Sequence, residues 1–576
     1  MKKLLRFIKP WKVPFVAGWL FKFVEAILEL LLPLFMKEIL NKGIPNRDSG
    51  YITQMTLAIL AASLVGLGFA LCSQYIASKT SQGVGAEIRT EMLQKISDFS
   101  YREIDAFGTS TLINRITNDV NNVQQAIAMT IRLVSRAPFL AIGSVVLSLT
   151  IDPQLTLVFI VLIPVITLLL YFFTTHTSKL YRNVQKKLDA LGTVVKENLT
   201  GVRVIRAFAR WKTEKKRCDN ATKELTDAYI HVSRLAALSN PVTSILMNFG
   251  IIVILYWGGQ AVFSGRLQNG DILALSTYAT QLLLALVIVV NLIVLFTKAA
   301  ASSVRINEVL DTVPSLTFPD TDAVLDPSAQ EVLRFQELSF SYNGTEKALT
   351  DIDFAVSRGE SLGIVGITGS GKTSLINLLQ RFYDPDEGQV RLFGTDVRQY
   401  SQKQLRSLIG IVPQHSILFS GTVADNLRWG KADATQEEMW QALETAQARD
   451  FVEALPQGLD AEIHEGGQNF SGGQRQRLAI ARALVKKPAI LILDDSLSAL
   501  DFKTDLQLRR ALKRDLPHTT LLVVSQRISS VADTTKIVLL DEGAVGGLGT
   551  HGELLLKNEV YREIYESQTQ EKAKEA

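Results

Sequence analysis

The sequence predicts two joined folds: a membrane all-α domain of six transmembrane helices at residues 1–310, and an α/β domain at 331–576. Three observations carry this reading. Six long apolar runs lie in the first half, at about 13–39, 55–77, 130–151, 154–176, 240–263 and 271–298. Residues 311–330 (DTVPSLTFPDTDAVLDPSAQ) are rich in Pro, Asp, Ser and Thr, a linker composition. Beyond them, short β-branched runs alternate with helical segments. Bulk composition hides the division, because a polar half dilutes an apolar one. The 576 residues are 47% hydrophobic and 20% charged, with a mean hydropathy of +0.17. Those values exclude collagen-like and disordered chains. Two cysteines, Cys72 in an apolar run and Cys218 in a charged one, exclude a disulfide framework. A net charge of +4 does not call for a nucleic-acid partner.

Each apolar run is judged against a bilayer core, which takes about 20 apolar residues in a helix. LTLVFIVLIPVITLLLYFF (155–173) and ILALSTYATQLLLALVIVVNLIVLF (272–296) are the clearest. The first twelve residues carry Lys2, Lys3, Arg6, Lys9 and Lys12 with no acid. They read as a short amphipathic helix on the membrane surface, not a cleavable signal. The stretches after the second and fourth runs are long and basic, notably RWKTEKKR (210–217), whereas the others are short. The charge rule then places both termini in the cytoplasm. The long inner stretches, 78–129 and 177–239, read as helix continuations that project beyond the membrane.

In the second half, LGIVG (362–366), IGIVP (409–413), AILILDD (489–495) and TLLVVSQ (520–526) read as buried strands. The first leads into Gly366-Ile-Thr-Gly369-Ser370-Gly371-Lys372-Thr373-Ser374, a P-loop between a strand and a helical run. Its glycines let backbone N–H groups face phosphate oxygens, and the helix N-terminus favours an anion. Lys372 supplies a point charge to the terminal phosphates of ATP, and the Thr373 hydroxyl a ligand for Mg²⁺. An acid for that metal is expected at the end of a later buried strand, where Asp494 stands.

Phe470-Ser471-Gly472-Gly473-Gln474 ends 20 positions before Asp494. It resembles the signature motif of ATP-binding cassette (ABC) proteins, a helix N-terminus that approaches the nucleotide held by an opposite subunit. Six membrane runs followed by this cassette resemble an ABC exporter half-transporter, of the type IV exporter fold, over essentially the whole chain. The resemblance implies further roles. Tyr342 would stack on adenine, and Gln414 would be the Q-loop residue near Mg²⁺ and the attacking water. Glu465-Gly466-Gly467 would face the membrane domain, and Ser498-Ala-Leu-Asp501 would cross the dimer interface. Segments Tyr101–Phe107 and Gly201–Phe208 would be coupling helices.

Two positions depart from the family pattern. Where the family usually has Glu after the metal-binding Asp, this chain has Asp495. One methylene less withdraws the carboxylate by roughly 1.5 Å, enough to leave hydrogen-bond reach of a water. Where the family usually has His after a later strand, this chain has Gln526, which cannot become a cation. The resemblance therefore implies an ATP site that binds but hydrolyses poorly. It further implies a heterodimer with a second ABC half-transporter, whose competent site is completed by FSGGQ here. A bacterial inner membrane is the expected location.

The cargo is expected to be an amphiphilic small molecule, a drug-like compound or a membrane lipid. Lys22, Glu25 and Glu29 lie in the first run, with the two acids on one helix face. Two readings stay open: an anionic lining for hydrophobic or cationic substrates, or pairing with Lys22 and an Arg on another helix. Tyr256, Trp257, Tyr278, Gln281 and Asn291 are candidates for a cavity lining, for interfacial anchors or for interhelix bonds.

Overall fold

A computed structural model describes residues 2–326, 329–497 and 500–575. The chain forms two compact units. One contains Met1–Ser97 and Gly108–Thr312, and the other contains Asp98–Phe107 and Val313–Ala576.

The first unit is all helix. Its rods are α1 (Lys12–Glu38) and α2 (Ser49–Ser97). The short helix α3 (Tyr101–Phe107) follows in the chain but belongs to the second unit. Then come α4 (Thr109–Ile151), α5 (Pro153–Thr200), the short α6 (Val202–Ala207), α7 (Trp211–Phe263) and α8 (Asn269–Asp311). Five of these helices, α2, α4, α5, α7 and α8, are long and apolar enough to cross a membrane. The 27-residue α1 carries Lys22, Glu25 and Glu29 in its middle. At 1.5 Å per residue, the 49-residue α2 is about 74 Å long. That is more than twice a bilayer core of about 30 Å, so the rod continues well beyond any apolar run.

Local chemistry sets the helix starts. Asp152 caps α5, its Oδ1 accepting from the N–H groups of Gln154 at 2.8 Å and Leu155 at 3.0 Å, with Pro153 in the first turn. Gln268 and Asp271 form a reciprocal capping box on α8. Two π-helical turns, Arg115–Asp119 and Thr130–Val134, interrupt α4.

Residues Lys2–Trp11 are amphipathic as expected, but they form a 3₁₀ helix whose apolar side is taken up by protein. Leu4 and Phe7 are buried. Trp11 donates its indole N–H to Glu87 at 2.9 Å, and Arg6 pairs with Glu91. The indole lies on Gly83, where a Cβ would come within 2.0 Å of the ring. The glycine therefore lets this segment dock on α2.

Where the rods cross, buried polar groups are matched. Ser73 donates to the Gly18 carbonyl and Tyr278 to the Leu30 carbonyl, both at 2.8 Å. Tyr278 is thus an interhelix bond and not a cavity wall. Asp119 of α4 is only 1% exposed. It accepts from Ser302 at 2.9 Å and from Arg305 Nε at 2.8 Å, both on α8.

The second unit is α/β. Its main sheet has the order β12-β11-β3-β10-β9-β6. The strands are β3 (Ser361–Val365), β6 (Ile409–Val412), β9 (Ile490–Asp494), β10 (Thr520–Ser525), β11 (Lys536–Asp541) and β12 (Ala544–Gly549). The four strands read from the sequence are all in it, side by side. Pairing is parallel except for β11–β12. Alternate residues feed two cores, Leu362, Ile492 and Val524 on one face, and Val365, Leu493 and Val523 on the other. A smaller antiparallel sheet joins β1 (Glu331–Phe340), β2 (Leu349–Ser357), β4 (Glu387–Leu392) and β5 (Thr395–Asp396), and β7 (Gly421–Thr422) pairs antiparallel with β8 (Glu462–Ile463). The expected linker is anchored to this unit. Phe318 lies 4.6 Å beneath the Arg381 guanidinium, and Ala323 exchanges two hydrogen bonds with the Gln404 side chain.

The Asp119 cluster yields a stability test. Asp119→Ala removes a buried acceptor that serves a serine and a guanidinium, and should destabilise by about 2–3 kcal/mol. Asp311→Ala, which breaks an exposed pair with Lys3, should cost less than about 1 kcal/mol. Thermal unfolding of the two variants in detergent checks the contrast.

Candidate nucleotide-binding site

The residues Gly366–Gly371 join β3 to helix α9 (Lys372–Leu379). Gly369 and Gly371 have φ of +87° and +95°, the left-handed region that favours glycine. At Gly366, a Cβ would lie 2.3 Å from the Leu540 carbonyl oxygen and 2.4 Å from Ser370 Oγ, so a side chain there would open the loop. Lys372 Nζ donates to the carbonyls of Gly366 at 2.7 Å and Ile367 at 2.6 Å. Burial holds its pKa below the usual lysine value, against the pull of Asp495 and Asp494. Asp494 shifts the other way: burial raises its carboxyl, nearby Asp495 adds to this, and Lys372 opposes it. Ser370 and Ser374 are buried, while Thr373 stays exposed at the start of α9.

The two departing residues sit beside this loop. Asp495 has φ of +43°, a conformation that Asp tolerates better than most residues. Its Oδ2 accepts from Gln414 Nε2 at 3.3 Å and its Oδ1 from Ser525 Oγ at 3.4 Å. Gln526 accepts from Thr368 of the loop at 3.5 Å. The structure thus brings Gly366–Ser374, Gln414, Asp494, Asp495 and Gln526 together at the carboxyl ends of adjacent strands. Lysine, two carboxylates and a bare helix N-terminus are a donor set that fits a polyphosphate with a divalent cation.

Tyr342 lies beyond β1. Its hydroxyl donates to Ser374 Oγ at 3.0 Å, and its half-exposed ring meets Phe340 at 4.8 Å and Tyr383 at 5.2 Å, both edge to face. Ser471–Gln474 open helix α10 (Gly472–Leu484), with Ser471 and Gln474 in a reciprocal capping box. Ser471 and Gly472 are exposed, and a Cβ at Gly472 would meet nothing within 4 Å. Gly473 follows in the first turn. Phe470 is buried against Phe451, which explains a large ring at the head of the motif. Gly466 and Gly467 shape the Glu465 turn with φ of +66° and +69°. Ser498 and Ala499 lie outside the described residues. Asp501 caps the helix Phe502–Asp515 through the Thr504 N–H at 3.1 Å.

Sequence reading missed Tyr383. Its only signal was an aromatic pair after the P-loop helix. Tyr383 donates to Asp105 of α3 at 2.8 Å, and Tyr101 packs on Phe382 at 4.5 Å. An aromatic chain therefore runs from Tyr342 through Tyr383 to α3. Glu103, also on α3, is buried. Burial pushes its carboxyl up, but bonds from Ser100 and Ser315 outweigh this and hold it below the usual value.

The open question about the first run is decided against an anionic lining. Glu25 pairs with Lys22 at 2.6 Å, and Glu29 is held by Arg136 through contacts of 2.9–3.2 Å. In a low-dielectric setting a partner on the protein is cheaper than a bare carboxylate.

Residues 15–286 match the ABC transporter transmembrane region, and 349–498 match the ABC transporter domain. The chain is 36% identical to "Uncharacterized ABC transporter ATP-binding protein YfiB" of Bacillus subtilis, over 99% of this chain and 98% of that one. It is 30% identical to the "ATP-dependent lipid A-core flippase" of Syntrophus aciditrophicus, covering 99% and 94%. A solved bacterial Atm1-family ABC exporter with ATP bound shares the fold, with a TM-score of 0.80, 24% identity and coverage of 97% and 98%. The chain belongs to the ABC transporter family. Within it, membrane unit and ATP-binding domain on one polypeptide make this an exporter half-transporter, an ATPase-coupled machine that spans a membrane.

The Tyr383–Asp105 bond is testable by hydrogen exchange. Tyr383→Phe keeps the ring and removes one bond to a charged acceptor, so amides in 101–107 should exchange about tenfold faster or more. Nucleotide affinity should change less than twofold. Glu103 gives the pH sign: its folded pKa lies below the reference of 4.5. Its stabilisation is full above that pH and is lost as pH falls through the folded value, so exchange in 98–107 should quicken on acidification.

Proposed function

We propose that this chain is the hydrolysis-impaired subunit of a heterodimeric exporter of amphiphilic small molecules, acting in a bacterial inner membrane with both termini cytoplasmic. The observation that carries the reading is the pairing of an intact binding set with two altered groups. Gly366–Thr373 and Asp494 remain equipped to hold ATP and Mg²⁺, with Gln414 beside them. Bound Mg²⁺ would neutralise charge on the phosphates and orient them. Tyr342, held edge-on by two aromatic rings, offers a face to adenine.

Asp495 and Gln526 supply less. The Asp495 carboxylate is one methylene shorter than glutamate, and both its oxygens accept bonds from the protein. Loss of a well-placed general base typically costs about 10²–10⁴ in rate, or roughly 3–5 kcal/mol of barrier. Gln526 offers an amide where a cation or proton shuttle would act. In a homodimer both sites would carry these groups. In a heterodimer, the exposed Ser471–Gln474 end of α10 could complete a partner's competent site. ATP-driven closure of the two cassettes would then bias the membrane units toward one state over the other.

A second reading, a homodimeric lipid flippase, draws support from relatives named as flippases in Syntrophus aciditrophicus and, at 31% identity, Chromobacterium violaceum. ATPase assays separate the two. The chain alone should bind ATP yet turn over far below about 1 per second, and Asp495→Glu with Gln526→His should raise that rate by about 10²-fold. Brisk turnover by the unaltered chain alone would overturn the heterodimer. Lys372→Ala, which removes the phosphate charge, should abolish nucleotide binding in either case.

A further inference from the structure

We propose that Gln568, on the helix Glu559–Glu575, is a positioning residue that sets where Gln526 stands against the phosphates of bound ATP. This rests on the reading of Gln526 as a residue facing the terminal phosphate, and not on the heterodimer. The last paired residue of β10 is Ser525. The chain stays extended beyond it, with Arg527 at φ −94° and ψ 119°. In extended backbone the carbonyl before a residue and the N–H after it point to the same side. Here those two groups are the Gln526 carbonyl and the Ile528 N–H, and Gln568 takes both. Its Nε2 donates to the carbonyl at 2.8 Å, and its Oε1 accepts from the N–H at 3.0 Å. One side-chain amide, with a donor and an acceptor, thus replaces the neighbouring strand that the sheet no longer supplies.

Both ends of this clamp are anchored. On the helix, Tyr561 is fully buried, with its hydroxyl 2.8 Å from His551 Nδ1. Ile564 and Tyr565 pack on the core that contains Ile528 and Val531. Further along the clamped segment, Arg509 donates to the Ser530 carbonyl at 2.7 Å while its Nε pairs with Asp505 at 2.9 Å. The Gln526 side chain is exposed by contrast, and it bonds Thr368 of the phosphate-binding loop at 3.5 Å. The backbone therefore decides where this amide stands, and Gln568, 42 positions later, holds the backbone. Ile528 is fully buried. Without the Gln568 oxygen its N–H would be left unpaired, so the segment would shift to find another acceptor.

Equilibrium binding of ATP and of ADP, each with Mg²⁺, to the full chain in detergent tests this without turnover. Only ATP carries the γ-phosphate that Gln526 would reach. Gln568→Met keeps the length of the side chain and removes both bonds. It should weaken ATP by about tenfold, the order of one hydrogen bond to a charged group, and ADP by less than twofold. Gln526→Ala should give the same split. The double variant should bind ATP no more weakly than either single variant, because both changes act on one contact. A merely structural role would weaken the two nucleotides alike. Equal loss of ATP and ADP, no loss, or losses that add in the double variant would overturn the proposal. Amides in 526–531 should exchange faster in nucleotide-free Gln568→Met, and unchanged exchange would overturn it as well. If Gln526→Ala lowers ATP relative to ADP and Gln568→Met does not, the clamp fails and the reading of Gln526 stands. If neither alters that ratio, both fail together.

Discussion

Parallel packing of β3 between β10 and β11 is the constraint on which the ATP-binding half depends. In this register Val365 stands opposite Ser525, Val524 opposite Asp494, and Val412 opposite Leu493. All of these strands therefore end along one edge. The residues that follow them, Gly366, Gln526, Asp495 and Gln414, emerge there together although they are far apart in the chain. Apolar burial on both faces of the sheet makes a slip in register costly, so the chemistry inherits the rigidity of the core.

The membrane unit obeys a different constraint. Its long helices satisfy their backbone groups internally, as a lipid environment requires. What remains is to match the side chains that are not apolar. Asp119 with Arg305 and Ser302, Glu29 with Arg136, and Tyr278 with the Leu30 carbonyl do this between helices.

Much of the site is legible in the sequence alone. The P-loop was readable because its glycines, lysine and threonine are consecutive, and the buried strands because each is a short apolar run. Asp495 and Gln526 were visible as departures at strand ends. Tyr383 and Asp105 were not, since 278 positions separate them and neither belongs to a local pattern. The docking of Lys2–Trp11 on α2 was hidden for the same reason: it depends on Gly83 leaving room for Trp11. The pairing of Glu29 could be framed only as one of two alternatives, because its partner lies 107 positions away.

By itself, the sequence determined which segments are apolar enough for a bilayer, which loop can cradle phosphate, and which two strand-end residues depart from the pattern the chain resembles. Those properties reside in neighbouring residues and in the period of a helix or strand. Tertiary structure alone decided that α3 folds with the ATP-binding unit and that the acids of α1 are paired with Lys22 and Arg136. Each of these depends on which distant surfaces meet, and that is settled by packing and charge matching among whole helices rather than by any local run of residues.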